Sequence, residues 1–298
     1  MAQNVINIPR INDTPSDFEI LFKIWSQING YEEDVRFDFS RCYFLRPNAV
    51  AFLGGLTRLI QYRWGTVEFD WATLRDRILT NLCQSGFAKA FGYPSSGWDG
   101  NSIPYRHDDT LDMNGIMDYL TDNWIGKGWV RISNRLRDAI AGNMWEIYNN
   151  AFEHSGTEIG VFSCGQYFPW YNALLLSVVD FGQGIPSKVR DFFRQNVSEE
   201  QADKLKGSTC LQWAFQAGST TKVGYGEPGG AGLDLLKQFV KLNKGKLEVY
   251  SNDGYCIIDK NGERYSNRTI SFEGTVFHIT LWCDEKQYHL KGEVAPTF

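Results

Sequence analysis

Two strand-like runs, EIGVFSCGQYF at 158–168 and NALLLSVVD at 172–180, are separated by only three residues. A connection that short suits antiparallel neighbours, because parallel strands need a long crossover. Ahead of them lies a long helical pattern at 131–154. Leu136, Ile140, Met144, Ile147 and Ala151 recur in it every three or four residues and form one apolar stripe. Behind them come a helix at 231–243 and three further strand-like runs, GKLEVYS, YCIIDK and GTVFHITLW. Helices before and between antiparallel strands predict an α/β sandwich, a mixed sheet with helices on one face.

The first ninety residues read differently. DVRFDFS alternates as a half-buried strand, NAVAFLGGLTRLIQYRWG has helical spacing, TVEFDW is a second short strand, and LRDRILTNLCQSGFAKAFG is a helix interrupted near Gly86. Strand, helix, strand, helix predicts a small α/β layer with parallel strands. After Phe91 the stretch GYPSSGWDGNSIP has the composition of a loop. The expected organisation is one domain at 1–93, a linker at 94–109 and a second domain at 110–298. A bridging helix falls near 110–124.

The hydrophobic fraction of 43% supports a real core and argues against disorder. The net charge of −5 argues against broad nucleic-acid affinity. No basic-then-apolar leader opens the sequence, and no run approaches the ~20 apolar residues of a membrane span. Cysteines 42, 83, 164, 210, 256 and 283 form no C-x-x-C pair and read as reduced thiols of a cytoplasmic protein.

Four segments carry candidate chemistry. In MWEIYNNAFEHSG, Glu146 and Asn150 are four apart and share a helical face. Asn150 offers a neutral oxygen to a hard cation such as Mg2+, and Glu146 a base for a water or hydroxyl. A plain polar stripe reads equally well there. Asp180 ends a strongly apolar strand, so its buried carboxylate needs donors, for which the exocyclic amine of adenine is suited. Gly182 and Gly184 after it permit close approach of a flat ring, or simply a turn. GEPGGAGLDLLKQFV leads glycines into a helix, an anion site or a glycine-assisted turn. Thr275 starts the strand after Gly274, where a hydroxyl could reach a phosphate. Gly224, Gly226 and Gly229 spell a dinucleotide fingerprint, but no strand precedes it and Pro228 interrupts it. No P-loop sequence occurs.

The order of these pieces resembles the GHKL ATP-binding fold of sensor histidine kinases, anti-sigma-factor kinases and gyrase-type ATPases, over about residues 125–285. The segment GSTTK, followed by GGAGLDLLKQFVKLNKGKLEV, is similar to the lid of the histidine-kinase version. The resemblance implies ATP and Mg2+ as ligands. It implies Asn150 as the metal ligand and Glu146 as the orienting base. Asp180, Gly182, Gly184 and Ile185 would stand at the adenine. Lys222, Gly230, Gly232 and Leu233 would form the lid and phosphate turn, and Thr275 would lie near either end. His154 would order the site. No phospho-acceptor histidine helix precedes this region.

FDFSRCYFLRPNAVAFLGGLTRLI with LTNLCQSGFAKAFG resembles the STAS fold of anti-sigma-factor antagonists, over about residues 30–93. Where those antagonists carry a phosphorylatable serine, this chain has Pro47, Asn48 and Ala49. The two resemblances together imply a Mg-ATP-binding regulator with slow hydrolysis or serine/threonine phosphotransfer. A nucleotide-gated interaction switch and a dimeric clamp ATPase are the alternatives. The face of the helix carrying Asn48 is expected to be a docking surface, for the chain's own ATP module or for a second copy. A protein partner or homodimer through that half is expected, with neither membrane nor nucleic acid.

Overall fold

The computed structural model describes residues 4–28, 34–216 and 233–293. In the first half, β1 (Asn4–Asn7), α1 (Pro15–Ile28), β2 (Val35–Asp38), α2 (Pro47–Tyr62) and β3 (Val67–Phe69) precede α3 (Asp76–Gln84) and α4 (Phe87–Ala90). β1, β2 and β3 form a three-stranded parallel sheet, as the alternation of elements predicts. β1 and α1 have no counterpart in the sequence reading.

Next come β4 (Ser102–Asp108), α5 (Met113–Asp118), α6 (Asn134–His154), β5 (Val161–Phe168) and β6 (Ala173–Asp180). α7 (Ile185–Asn196), α8 (Glu199–Lys204), α9 (Gly207–Ala214) and α10 (Asp234–Asn243) follow. β7 (Lys246–Ser251), β8 (Gly254–Asp259), β9 (Gly262–Asn267) and β10 (Thr275–Trp282) complete the fold. α6 starts later than the periodicity predicts, because Ile132 bridges to Tyr288 and the Ser133 N–H donates to the Tyr288 carbonyl. The Ser133 hydroxyl then caps the helix by accepting from the Leu136 N–H at 3.2 Å.

The second sheet has seven strands in the order β4-β5-β6-β10-β7-β8-β9, and every neighbouring pair is antiparallel. The large sheet is thus antiparallel throughout, not mixed as expected, and the parallel strands form the small sheet. Short connections between β5 and β6 and along β7-β8-β9 enforce antiparallel neighbours, and β10 returns between β6 and β7. The expected linker at 94–109 is corrected too, since residues 102–108 are an edge strand on β5. The loop-like composition misleads because an edge strand tolerates Pro104, and the register shifts between Ile103 and Arg106.

The large sheet is apolar on both faces. Val161, Val178, Val249 and Phe277 point to one core, shared with the Leu136–Ala151 stripe of α6 and with Leu236, Phe239 and Val240 of α10. Their neighbours Phe162, Val179, Tyr250 and Val276 point to the other, shared with Phe18 and Phe22 of α1 and Phe52 of α2. Helices thus cover both faces, not one, and the two expected domains share a core across the boundary at residue 93.

α2 sits at the centre of this arrangement and is buried on nearly every side. Gly54 and Gly55 permit its approach to the sheet. A Cβ at Gly54 would lie 2.4 Å from the Tyr105 hydroxyl, and one at Gly55 would lie 2.2 Å from the Phe181 ring. Asn48 is fully buried, and its Nδ2 donates to the Asn12 carbonyl at 2.9 Å. The helix expected to offer a docking surface is already docked inside its own chain. Among the described residues no helix is long and apolar enough to cross a membrane.

Candidate functional site

The C-terminal ends of β6 and α6 meet. Asp180 is the last residue of β6 and pairs in register with Thr275, the first residue of β10. Both are buried, at 6% and 3% exposure. Asp180 Oδ1 accepts the Gly182 N–H at 3.0 Å, and the Gln183 N–H donates to the Ser155 carbonyl just past α6 at 2.7 Å. Burial pushes the Asp180 carboxyl up to about 6, against the pull of the Gly182 N–H and of the Ser155 and Thr275 hydroxyls. These donors do not fully offset its burial, and a neutral amine or amide edge would add one more without adding charge.

Two residues that the sequence reading missed organise the neighbourhood. Ser251 Oγ accepts the Ile185 N–H at 2.8 Å, donates to the Gly274 carbonyl at 3.0 Å and lies 3.0 Å from Thr275 Oγ1. Asn252 accepts from the Ser187 N–H at 3.1 Å and donates to the Gln183 carbonyl at 3.0 Å. The glycines are explained by these neighbours. A Cβ at Gly182 would lie 2.3 Å from the Ser155 carbonyl. Gly184 has φ +79°, and its Cβ would meet Asn252 at 2.5 Å. Their lack of side chains is required by the protein itself, whatever ring approaches them. Ile185 spends its N–H on Ser251 and packs its half-buried side chain against the helix-side core.

On α6, Glu146 is half-buried and Asn150 exposed. Asn143 stands on the same stripe, three residues before Glu146 and seven before Asn150. Its Oδ1 accepts the Leu236 N–H in the first turn of α10 at 3.1 Å, so this stripe looks toward the start of that helix. No pattern in the sequence singled out Asn143, since a mid-helix Asn reads as ordinary surface.

Leu233, buried at 9% exposure, immediately precedes α10, and its carbonyl accepts the Lys237 N–H. α10 begins at Asp234, later than the expected 231. Lys237 is another unforeseen residue: 5% exposed, it donates from Nζ to the Phe215 carbonyl at 2.9 Å. Lys222, Gly230 and Gly232, with the rest of the expected lid, lie outside the described residues, as does the side chain of His154.

Among the described residues no group of three His, Cys, Asp or Glu side chains could hold a metal by itself. A Mg2+ bound through the single oxygen of Asn150 would need phosphate oxygens and water to complete its shell, which fits a cation arriving with a nucleotide. No protein-family model matches this chain, and no curated protein matches it in sequence.

Proposed function

We propose that the chain is a Mg-ATP-binding regulatory protein with slow hydrolysis or serine/threonine phosphotransfer. The nucleotide would lie on the α6 side of the large sheet. The observation that carries this reading is a convergence. A buried carboxylate, raised toward 6, ends β6 beside the end of α6. The Asn143-Glu146-Asn150 stripe of α6 runs from there toward the first turn of α10. Asn150 lies about 8 Å of helix rise before Ser155, and Glu146 about 14 Å. Base and phosphates of one nucleotide would therefore meet different parts of one helix.

In this reading Asp180 accepts the adenine amine, with Thr275 and Gly182 fixing its orientation. Asn150 presents its oxygen to the cation. Glu146 orients the attacking hydroxyl or water from its half-buried position. Bound Mg-ATP supplies the transferable phosphoryl group and the charge that offsets its oxygens. The integration of α2 into the core argues against a version in which the first half swings as a gate. A partner protein would act instead as phosphoacceptor or as the regulated species.

Calorimetry and phosphate release on the full chain test this. Asp180→Asn is expected to weaken ATP binding by about 1–3 kcal/mol, the scale of a lost hydrogen bond to a charged group. Glu146→Ala is expected to keep binding and lose turnover, and Asn150→Ala to lose the Mg2+-dependent part of the affinity. Equal ATP affinity in wild type and Asp180→Asn removes Asp180 from the pocket. Wild-type turnover in both helix variants removes the catalytic reading and leaves a nucleotide-gated switch.

A further inference from the structure

A second site lies at the opposite end of β6 and on the other face of the sheet. A cavity of about 310 Å³ opens where the first half of the chain meets Ala173, Leu175 and Thr280. Asp180 stands seven residues beyond Ala173, roughly 24 Å along the strand. The loop before α1 contributes Asp13 and the residue before α2 contributes Arg46, so both halves build the cavity.

Its charge is predominantly positive. Lys246 is committed to the buried Glu248 at 2.5 Å, and Asp259 to Arg264 at 2.6 Å. Asp13 is shared loosely, 3.9 Å from Arg46 and 3.7 Å from His278. Burial would raise the Asp13 carboxyl, but His278, Arg46 and Lys246 outweigh it and hold it well below the usual carboxylate range. Lys244 and Lys260 also line the cavity, and among the described residues neither has an ion-pair partner.

Two unsatisfied groups mark where a ligand would bind. Thr280 is 5% exposed, and its Oγ1 has no hydrogen-bond partner. The Nε of Arg46 is buried and makes no hydrogen bond, with Asp13 Oδ1 beside it at 3.9 Å. They are two of twelve such atoms among the described residues, and both belong to side chains lining this one cavity. Arg46 is held by aromatic faces, its guanidinium 4.0 Å above the Phe168 ring and 5.7 Å from that of Tyr171. Stacking restrains a guanidinium while leaving its N–H edge for an oxyanion. Tyr171 and Trp282, both exposed, supply apolar walls at the mouth.

We propose that this cavity binds a small organic anion, with a carboxylate or phosphate head on Arg46 and Thr280 and an apolar body against Tyr171 and Trp282. Lys244 and Lys260 draw the anion in, and the bound ligand clamps the first half of the chain to the sheet. This site is separate from the nucleotide reading and does not depend on it.

The test uses the full chain without nucleotide, with benzoate, phenyl phosphate and inorganic phosphate as probes, read by calorimetry and thermal melting. At least one of the two aromatic anions is expected to bind and raise the melting temperature; the tighter of the pair identifies the head group. Arg46→Gln is expected to weaken binding about tenfold or more, and the shape-conserving Thr280→Val about threefold. Asp180→Asn is expected to leave the affinity unchanged. Absence of binding by both aromatic anions at about 10 mM, a weak affinity by any standard, overturns the proposal. So does inorganic phosphate binding as tightly as phenyl phosphate, or an unchanged affinity in Thr280→Val. The last measurement decides the matter even if Arg46→Gln fails to fold.

Discussion

Asp180→Asn is expected to make the nucleotide-free protein more stable while weakening its ligand affinity. The carboxyl is pushed up to about 6 in the folded chain, from an ordinary value of 3.8. A carboxyl raised by folding favours the fold below its unfolded pKa, and that contribution is lost as pH rises through the folded one. At pH 8 the ionised group therefore burdens the fold by about 3 kcal/mol, from a shift of about two pH units at 1.36 kcal/mol each. Asparagine keeps the shape and the acceptor for the Gly182 N–H but carries no charge. Urea unfolding of both proteins from pH 8 to pH 4 reads the difference. The variant is expected to lead by up to about 3 kcal/mol at pH 8, with the lead shrinking through pH 6 and nearly gone at pH 4. A variant no more stable than wild type at pH 8, or a lead that does not change between pH 8 and pH 5, refutes the electrostatic argument. A stability gain with unaltered ATP affinity would leave Asp180 a strained carboxylate with no ligand to hold.

Gly55→Ala forces a Cβ to within 2.2 Å of the Phe181 ring and is expected to cost about 1–3 kcal/mol by overpacking, measured as a lower urea midpoint; an unchanged midpoint would show that α2 can shift freely on the sheet. Deleting residues 1–93 uncovers Phe162, Val179, Tyr250 and Val276 on the sheet face that α1 and α2 cover. The 94–298 fragment is expected to bind a hydrophobic dye and to aggregate in light scattering, and a monodisperse fragment with wild-type melting would contradict the shared core.

The reading from sequence succeeds where local pattern and environment agree. The α6 stripe, the β5–β6 pair and the small parallel sheet all follow from periodicity and connection length. It fails where tertiary context decides. β4 carries Pro104 and follows a Gly/Ser-rich stretch, so only its pairing with β5 reveals it. β9 is largely polar and exposed, with only Tyr265 packed on the core, and has no alternation to detect. β6 and β10 read as continuous apolar runs, which is the mark of a sheet covered on both faces, yet helices were expected on one face alone. Within the candidate site, Asp180 and Thr275 are legible because each stands at a strand end, Thr275 next to Gly274 and Asp180 two residues before Gly182. Asn143, Ser251, Asn252 and Lys237 are not, since their importance rests on partners 22 to 93 residues away.

The position of β10 has a consequence for how the chain is made. It is the last strand among the described residues but lies in the middle of the sheet, between β6 and β7. During synthesis β6 therefore emerges with one long edge open and both faces apolar, and its neighbour on that side is completed roughly 100 residues later. At about 5–20 residues per second that exposure lasts on the order of 5–20 s. Over that interval an unpaired strand can recruit another nascent chain on the same polysome. A ribosome that stalls or terminates before Thr275 would release a protein with its central seam unclosed, a natural substrate for a holding chaperone.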